Sequence, residues 1–261
     1  MTSAMPSATR IIDCHGHFGY YNGTKIIPAD AESMIRVMDK AGVEKICMSA
    51  FLSIGPDCKV GNDMVAEAVK KYPNRFVGYA VVNPNRPQEI EGELRRCFED
   101  LGMRAIKLHP ASHRVSIESS AFKKVFEFAA NKRLPILSHE WGSPKFLDQV
   151  SSNYPEISFI MAHMGFWDGR GDFAYAAVVA SHENVYVDLA YSNVFYEALE
   201  RLVAIVGPTK VVFGSDFPLH DPGYQVGRVT FSKLPAEEQQ MILGLNMLRI
   251  LGESPQRGNR R

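Results

Sequence analysis

The pattern that most constrains this chain is a repeat. Short runs of apolar, β-branched residues recur along its length, and a stretch with helical spacing of apolar residues follows each. The runs predict strands over Ile11–His15, Val43–Ala50, Arg75–Val82, Met103–His109, Leu134–His139, Ile157–His163, Val185–Ala190 and Lys210–Gly214. The intervening stretches predict helices over Ala31–Lys40, Asn62–Lys71, Pro87–Leu101, Ser119–Lys132, Pro144–Ser152, Phe173–Ser181 and Tyr196–Val206, with one or two more over Leu234–Leu251. Local punctuation agrees. Asp30 stands at an N-cap position, Pro87 opens a helix, and Gly42 and Gly102 follow helix ends. Strands that are apolar throughout and alternate with helices pack as a parallel sheet covered by those helices. Eight such units in 261 residues match a (β/α)8 barrel in one α/β domain over residues 1–261. An open doubly wound sheet is the alternative, but no Gly-x-Gly-x-x-Gly or phosphate loop follows the first strand. The polar tails, residues 1–10 and 253–261, are expected to be flexible.

The formal net charge is +0, which argues against nucleic acid or an anionic membrane as the main partner. No apolar run approaches the roughly 18 residues needed to span a bilayer. Residues 1–10 lack the apolar core of a signal peptide, so a cytoplasmic location is expected. Cys14, Cys47, Cys58 and Cys97 lack Cys-x-x-Cys spacing and read as free thiols. A small-molecule substrate is the expected partner.

In such a barrel the active site gathers at the C-terminal strand ends. The polar residues there are His15 and His17 on strand one, Lys107 and His109 on strand four, and His139 on strand five. Strands six, seven and eight add His163, Asp188 and Asp216. Five of the eight histidines therefore fall where the fold converges them. Imidazoles with one carboxylate favour zinc, iron or manganese over calcium or magnesium. His15, His17, His139 and Asp216 would supply four protein ligands, with a metal-activated water in the remaining position and His163 beside it as general base or polarising a substrate oxygen. Strand parity turns Asp13 inward to orient an imidazole, and turns Cys14 outward against the helices.

His-x-His after strand one, single histidines ending strands five and six, and Gly214-Ser215-Asp216-Phe217-Pro218 resemble the amidohydrolase superfamily. Ile106-Lys107-Leu108-His109-Pro110 and the closing Ile242–Leu251 helix are similar to its amidohydrolase-related branch ("amidohydrolase 2"), which includes decarboxylases like aminocarboxymuconate-semialdehyde decarboxylase. The resemblance implies a distorted barrel with one catalytic metal, usually zinc. His15, His17, His139 and Asp216 carry over as ligands, and His163 as the catalytic histidine. Asp216 carries over as a proton shuttle as well. A homodimer is also implied. Lys107 lies on the strand where many superfamily members carry a carboxylated, metal-bridging lysine, but its Lys-x-His-Pro context reads as substrate or ion pairing.

Further substrate-contact candidates are His109, Arg114, Trp141, Arg170 and Tyr191. His182 and His220 receive no role. The expected reaction is hydrolysis of a small ester, lactone or amide. The alternative is non-oxidative decarboxylation of an aromatic or unsaturated acid by the same constellation.

Overall fold

The strand-like runs assemble in the order they occur in the chain. A computed structural model describes residues 9–21, 30–165, 173–190 and 196–254. The strands are β1 (Ile11–Phe18), β2 (Val43–Ala50), β3 (Phe76–Ala80), β4 (Ala105–Leu108), β5 (Pro135–Ser138), β6 (Ser158–Met161), β7 (Val185–Asp188) and β8 (Val211–Val212). Each pairs in parallel with the next. The barrel closes between β1 and the segment after β8. Cys14 N–H donates to Phe213 C=O (2.8 Å), Asp216 N–H to His15 C=O (2.7 Å) and His17 N–H to Phe217 C=O (2.7 Å). This is the single-domain (β/α)8 barrel expected from the repeat.

Two apolar layers flank the strands. Ile12, Cys47, Val77, Leu137, Ile160 and Val212 cluster with Met247 and Leu248, so the C-terminal helical segment closes one end of the barrel interior. Strand residues of the other parity, such as Ile46, Met48, Ile106, Ile136 and Phe159, cluster with helical Met34, Val65, Leu94, Phe126 and Leu147. Helix Ala31–Ala41 shows how sequence sets the boundaries. Asp30 accepts the Ser33 N–H at 2.8 Å, and Gly42 ends the helix at φ +75°.

Several boundaries differ from expectation. The second long helix begins at Cys58 rather than Asn62, because Asp57 caps it through the Val60 N–H. The next begins at Ile90, three residues after Pro87. Helix Pro222–Thr230, capped by Asp221, was not expected. Regular strand in β8 covers only Val211–Val212, since the following residues bond to β1 instead. Among the described residues no helix is long and apolar enough to cross a membrane.

The closing segment runs Ala236–Gln240, a π-turn over Met241–Leu245, then Asn246–Ile250. Gly244 lies in that wide turn, and a Cβ there would meet the Arg10 carbonyl oxygen at 2.1 Å. Backbone cannot yield as a side-chain tip can, so Gly244→Ala is expected to cost about 1–3 kcal/mol by overpacking. A urea midpoint equal to that of the parent protein contradicts this close approach.

Candidate metal centre

The site begins with an irregularity in β1. Asp13 pairs with Ile46 and Gly16 with Met48, so three steps on β1 span two on β2. The extra residue is a β-bulge, which re-aims the side chains around it. Cys14 accordingly falls in the interior cluster with Cys47 and Val77, although strict alternation sends it outward. His15 and His17 still face the barrel mouth. Gly16 points the other way, where a Cβ would lie 2.3 Å from Ile46 Cδ1. The expected outward placement of Cys14 is thus corrected by the bulge.

The same bulge changes the role of Asp13. Its Oδ1 accepts the N–H groups of His15 and Ser215, both at 3.0 Å, and its Oδ2 accepts the Ser215 hydroxyl. Asp13 therefore ties β1 to the segment carrying Asp216 and orients no imidazole. That task falls to Asp188. Its Oδ2 accepts His15 Nδ1–H at 2.7 Å, and its Oδ1 accepts the N–H groups of His163 (2.7 Å) and Ala190 (3.0 Å). His163 and Met164 sit at φ +60° and +56°, a strained pair for residues with side chains. His163 Nδ1–H donates to the Ala190 carbonyl, which leaves Nε2 as the nitrogen able to exchange a proton.

Asp216, at φ +63°, brings its carboxylate between the two β1 histidines. Its Oδ1 lies 3.1 Å from His17 Nε2 and 3.5 Å from His15 Nε2. One donor atom from each of His15, His17 and Asp216 falls within 4.8 Å of the others, and all three residues are buried. Metal–ligand bonds of about 2.0–2.2 Å place neighbouring donors about 3–4 Å apart, so this spacing fits one ion. Ser49 Oγ lies 3.3 Å from His17 Nδ1 and, with Asp188, holds the imidazoles by the nitrogens that face away from Asp216.

A pocket of about 280 Å³ opens over these residues. Lys107, His109, His139 and His163 line it as expected. The His139 ring lies 4.0 Å from that of His109 and 4.6 Å from that of His163, centre to centre. It stands beside the three-residue donor group rather than within it. Phe51, Ile54 and Leu219 form an apolar wall.

Two expected contact residues lie elsewhere. Trp141 is buried, its indole N–H donates to Ile160 C=O at 3.0 Å, and its ring packs on Phe159 and Phe126. Burial of so large a ring between strand and helix outweighs display on a loop. Arg114 ends the short helix Pro110–His113 at φ +54°, and its side chain is exposed outside the pocket. Arg170 and Tyr191 lie outside the described residues.

The sequence reading also missed contributors. His220 lines the pocket with Nε2 4.0 Å from Asp216 Oδ2. Phe51 stacks on His17 with ring centres 4.6 Å apart. Phe51 directly follows β2, and that position was the available signal; His220 lies eight residues past β8, where strand-end position gave none.

Burial sets the charge states. It lowers the pKa of His15 and His17, with the Lys107 charge reinforcing the effect at both. It lowers His139 too, takes His163 to about 4 and takes His109 to about 3. The imidazoles are therefore neutral at pH 7, the form a metal requires. At Asp216 burial acts upward, but the His17 hydrogen bond, with the Lys107 ammonium nearby, holds the carboxyl below its usual range. Burial raises Asp188 to about 7 against its two backbone N–H donors, and brings Lys107 down to about 8 against the pull of Asp216 and Asp188. Two neutral imidazoles, an ionised carboxylate and a carboxylate behind one imidazole make a donor set that suits a divalent transition metal.

Comparisons with known proteins agree with this geometry. Residues 12–252 match the amidohydrolase family model. A 2-amino-3-carboxymuconate-6-semialdehyde decarboxylase from Dictyostelium discoideum is 24% identical over 239 residues, covering 74% of this chain and 66% of that protein. The chain thus spans just under two thirds of that relative's length. The solved 2,6-dihydroxybenzoate decarboxylase from Rhizobium superposes with TM-score 0.75 at 14% identity, covering 94% of this chain and 99% of that one. A dihydroxybenzoic acid decarboxylase from Polaromonas sp. JS666, solved with manganese and the inhibitor 2-nitroresorcinol, gives TM-score 0.74 at 16% identity over 94% and 97%. These findings correct the expectation of hydrolysis, since the relatives are decarboxylases. They support a divalent metal and give no preference for zinc.

A metal held through His15 depends on the Asp188 bond at Nδ1. Asp188→Asn is expected to weaken divalent-metal binding about 10–100-fold while the protein stays folded. Titration calorimetry checks this, and unchanged affinity contradicts the role given to Asp188.

Proposed function

The chain belongs to the amidohydrolase family, and on that footing we propose that it is a metal-dependent non-oxidative decarboxylase of an aromatic or unsaturated carboxylic acid. The observation that carries the reading is the 239-residue relationship to a decarboxylase, joined to a pocket built for an anion. Neutral histidines and the Lys107 ammonium line that pocket, and Phe51 with Ile54 supplies an apolar wall.

His15, His17 and Asp216 are the proposed ligands, with His139 beside them. When bound, the divalent ion supplies Lewis-acid polarisation of substrate oxygens. Manganese is the proposed ion, supported by its presence in the Polaromonas enzyme and by the mixed nitrogen and oxygen donors. The small molecule is held by Lys107 and the histidines on one side and by apolar contact on the other.

Loss of CO2 from a carboxylate leaves an electron pair on carbon, and one proton must reach that carbon. Two groups of this chain can pass it. His163 exchanges protons at Nε2, because Nδ1–H is committed to the Ala190 carbonyl. Asp216, between His15 and His17, offers a carboxylate oxygen. His163 stays in register with His15 because one carboxylate, Asp188, holds both.

Manganese-loaded protein is expected to release CO2 from at least one member of a panel of hydroxybenzoates and unsaturated acids. Cleavage of esters or lactones with no CO2 from any acid would overturn the reading. His163→Ala is expected to lower kcat about 10²–10⁴-fold with metal content retained. Full activity in that variant removes His163 from the proton path.

A further inference from the structure

Lys107 is the group the reaction above leaves least explained. It is 1% exposed, and its one hydrogen bond among the described residues joins Nζ to His15 Nε2 at 2.8 Å. No ion pair links it to a carboxylate of those residues. The Asp188 oxygens are taken by His15, His163 and Ala190, and Asp216 Oδ1 faces His17 and His15. An ammonium has three N–H donors, and a buried one with a single neutral partner is poorly compensated. The side chain lines the pocket, so an anion entering there meets the unused donors.

Its present partner is also in demand. His15 Nδ1–H is engaged by Asp188, so the Nε2 lone pair is the one directed at Asp216. A metal held by His15 needs that lone pair, and so does the Lys107 N–H. The two cations exclude each other at one atom.

We propose that Lys107 is the anchor for the substrate's carboxylate, and that it works by exchange. Without metal its ammonium rests on His15 Nε2. When a divalent ion takes that nitrogen, the ammonium is released to bind an anion in the pocket. Metal loading thereby prepares the site for an acid. A metal-bridging, carboxylated Lys107 is the competing role, but a second ion needs a second donor group. His15, His17 and Asp216 are the one such group at this centre among the described residues. A structural ion pair is the other competing role, and it lacks a carboxylate partner.

The anchor half of the proposal rests on the acid-substrate reading; the competition for His15 does not. The test compares full-length wild type with Lys107→Met, which keeps length and apolar stem but no charge. First, chelator-stripped protein is titrated with Mn2+ by calorimetry. The variant is expected to bind Mn2+ at least about tenfold more tightly, because its competitor is gone. Second, Mn2+-loaded protein is titrated with salicylate and with phenol, which lacks the carboxylate. The variant is expected to lose about tenfold or more in salicylate affinity and to bind phenol within about threefold of wild type.

Weaker Mn2+ binding, or a fall from two bound ions to one, overturns the proposal in favour of a bridging lysine. Equal losses for salicylate and phenol overturn it in favour of a structural role. Lys107→Gln is measured in the same way, so that a folding defect in one variant does not decide the result. Both expected shifts, with no CO2 released by wild type from any acid, would keep the anchor and sink the decarboxylase reading.

Discussion

The seam that closes the barrel is the constraint on which the rest depends. β8 is only Val211–Val212, too short to close a barrel by regular pairing. Closure instead uses the next residues, which exchange backbone hydrogen bonds with Cys14, His15 and His17. The Asp13 carboxylate fastens the same seam through three hydrogen bonds to His15 and Ser215. One consequence is chemical. The two histidines of β1 and the aspartate after β8 become cross-strand neighbours, so the step that completes the fold also assembles the donor group. The left-handed backbone of Asp216 is held in place by those surrounding bonds.

A second consequence is electrostatic. Drawing many imidazoles into the mouth of a barrel keeps them neutral, since burial penalises their charged forms. Charge is left to the few groups whose side chains meet at His15. Asp216 is held ionised, while burial draws Lys107 down to about 8 and Asp188 up to about 7. The ionised Asp216 beside His15 and His17 suits a cation, and the Lys107 ammonium lining the pocket suits an anion.

Much of this was legible in the sequence, because the signals were periodic. The eight strand–helix units follow from apolar patterning. The positions of His15, His17, His109, His139, His163 and Asp216 follow from the rule that strand ends converge. What failed did so for local reasons. Parity misplaced Cys14 and misread Asp13, because a bulge has no signature in a single sequence other than the small Gly16. Trp141 resembles a pocket aromatic until its packing against Phe159 is seen. Asp188 was named at its strand but not for its task, which depends on a partner 173 residues away. The choice of reaction was not legible, because hydrolysis and decarboxylation draw on the same residues; the decarboxylase reading draws on similarity to decarboxylases rather than on motifs.

The claim that joins these points is that His15, His17 and Asp216 hold one divalent ion and that the ion displaces Lys107 from His15. Anomalous diffraction from Mn2+-soaked crystals of the full chain tests it most directly. The account predicts one manganese peak in contact with His15 Nε2, His17 Nε2 and an Asp216 oxygen, with Lys107 Nζ no longer in hydrogen-bond contact with His15. A peak elsewhere, or no peak while Lys107 stays on His15 at saturating Mn2+, would contradict it.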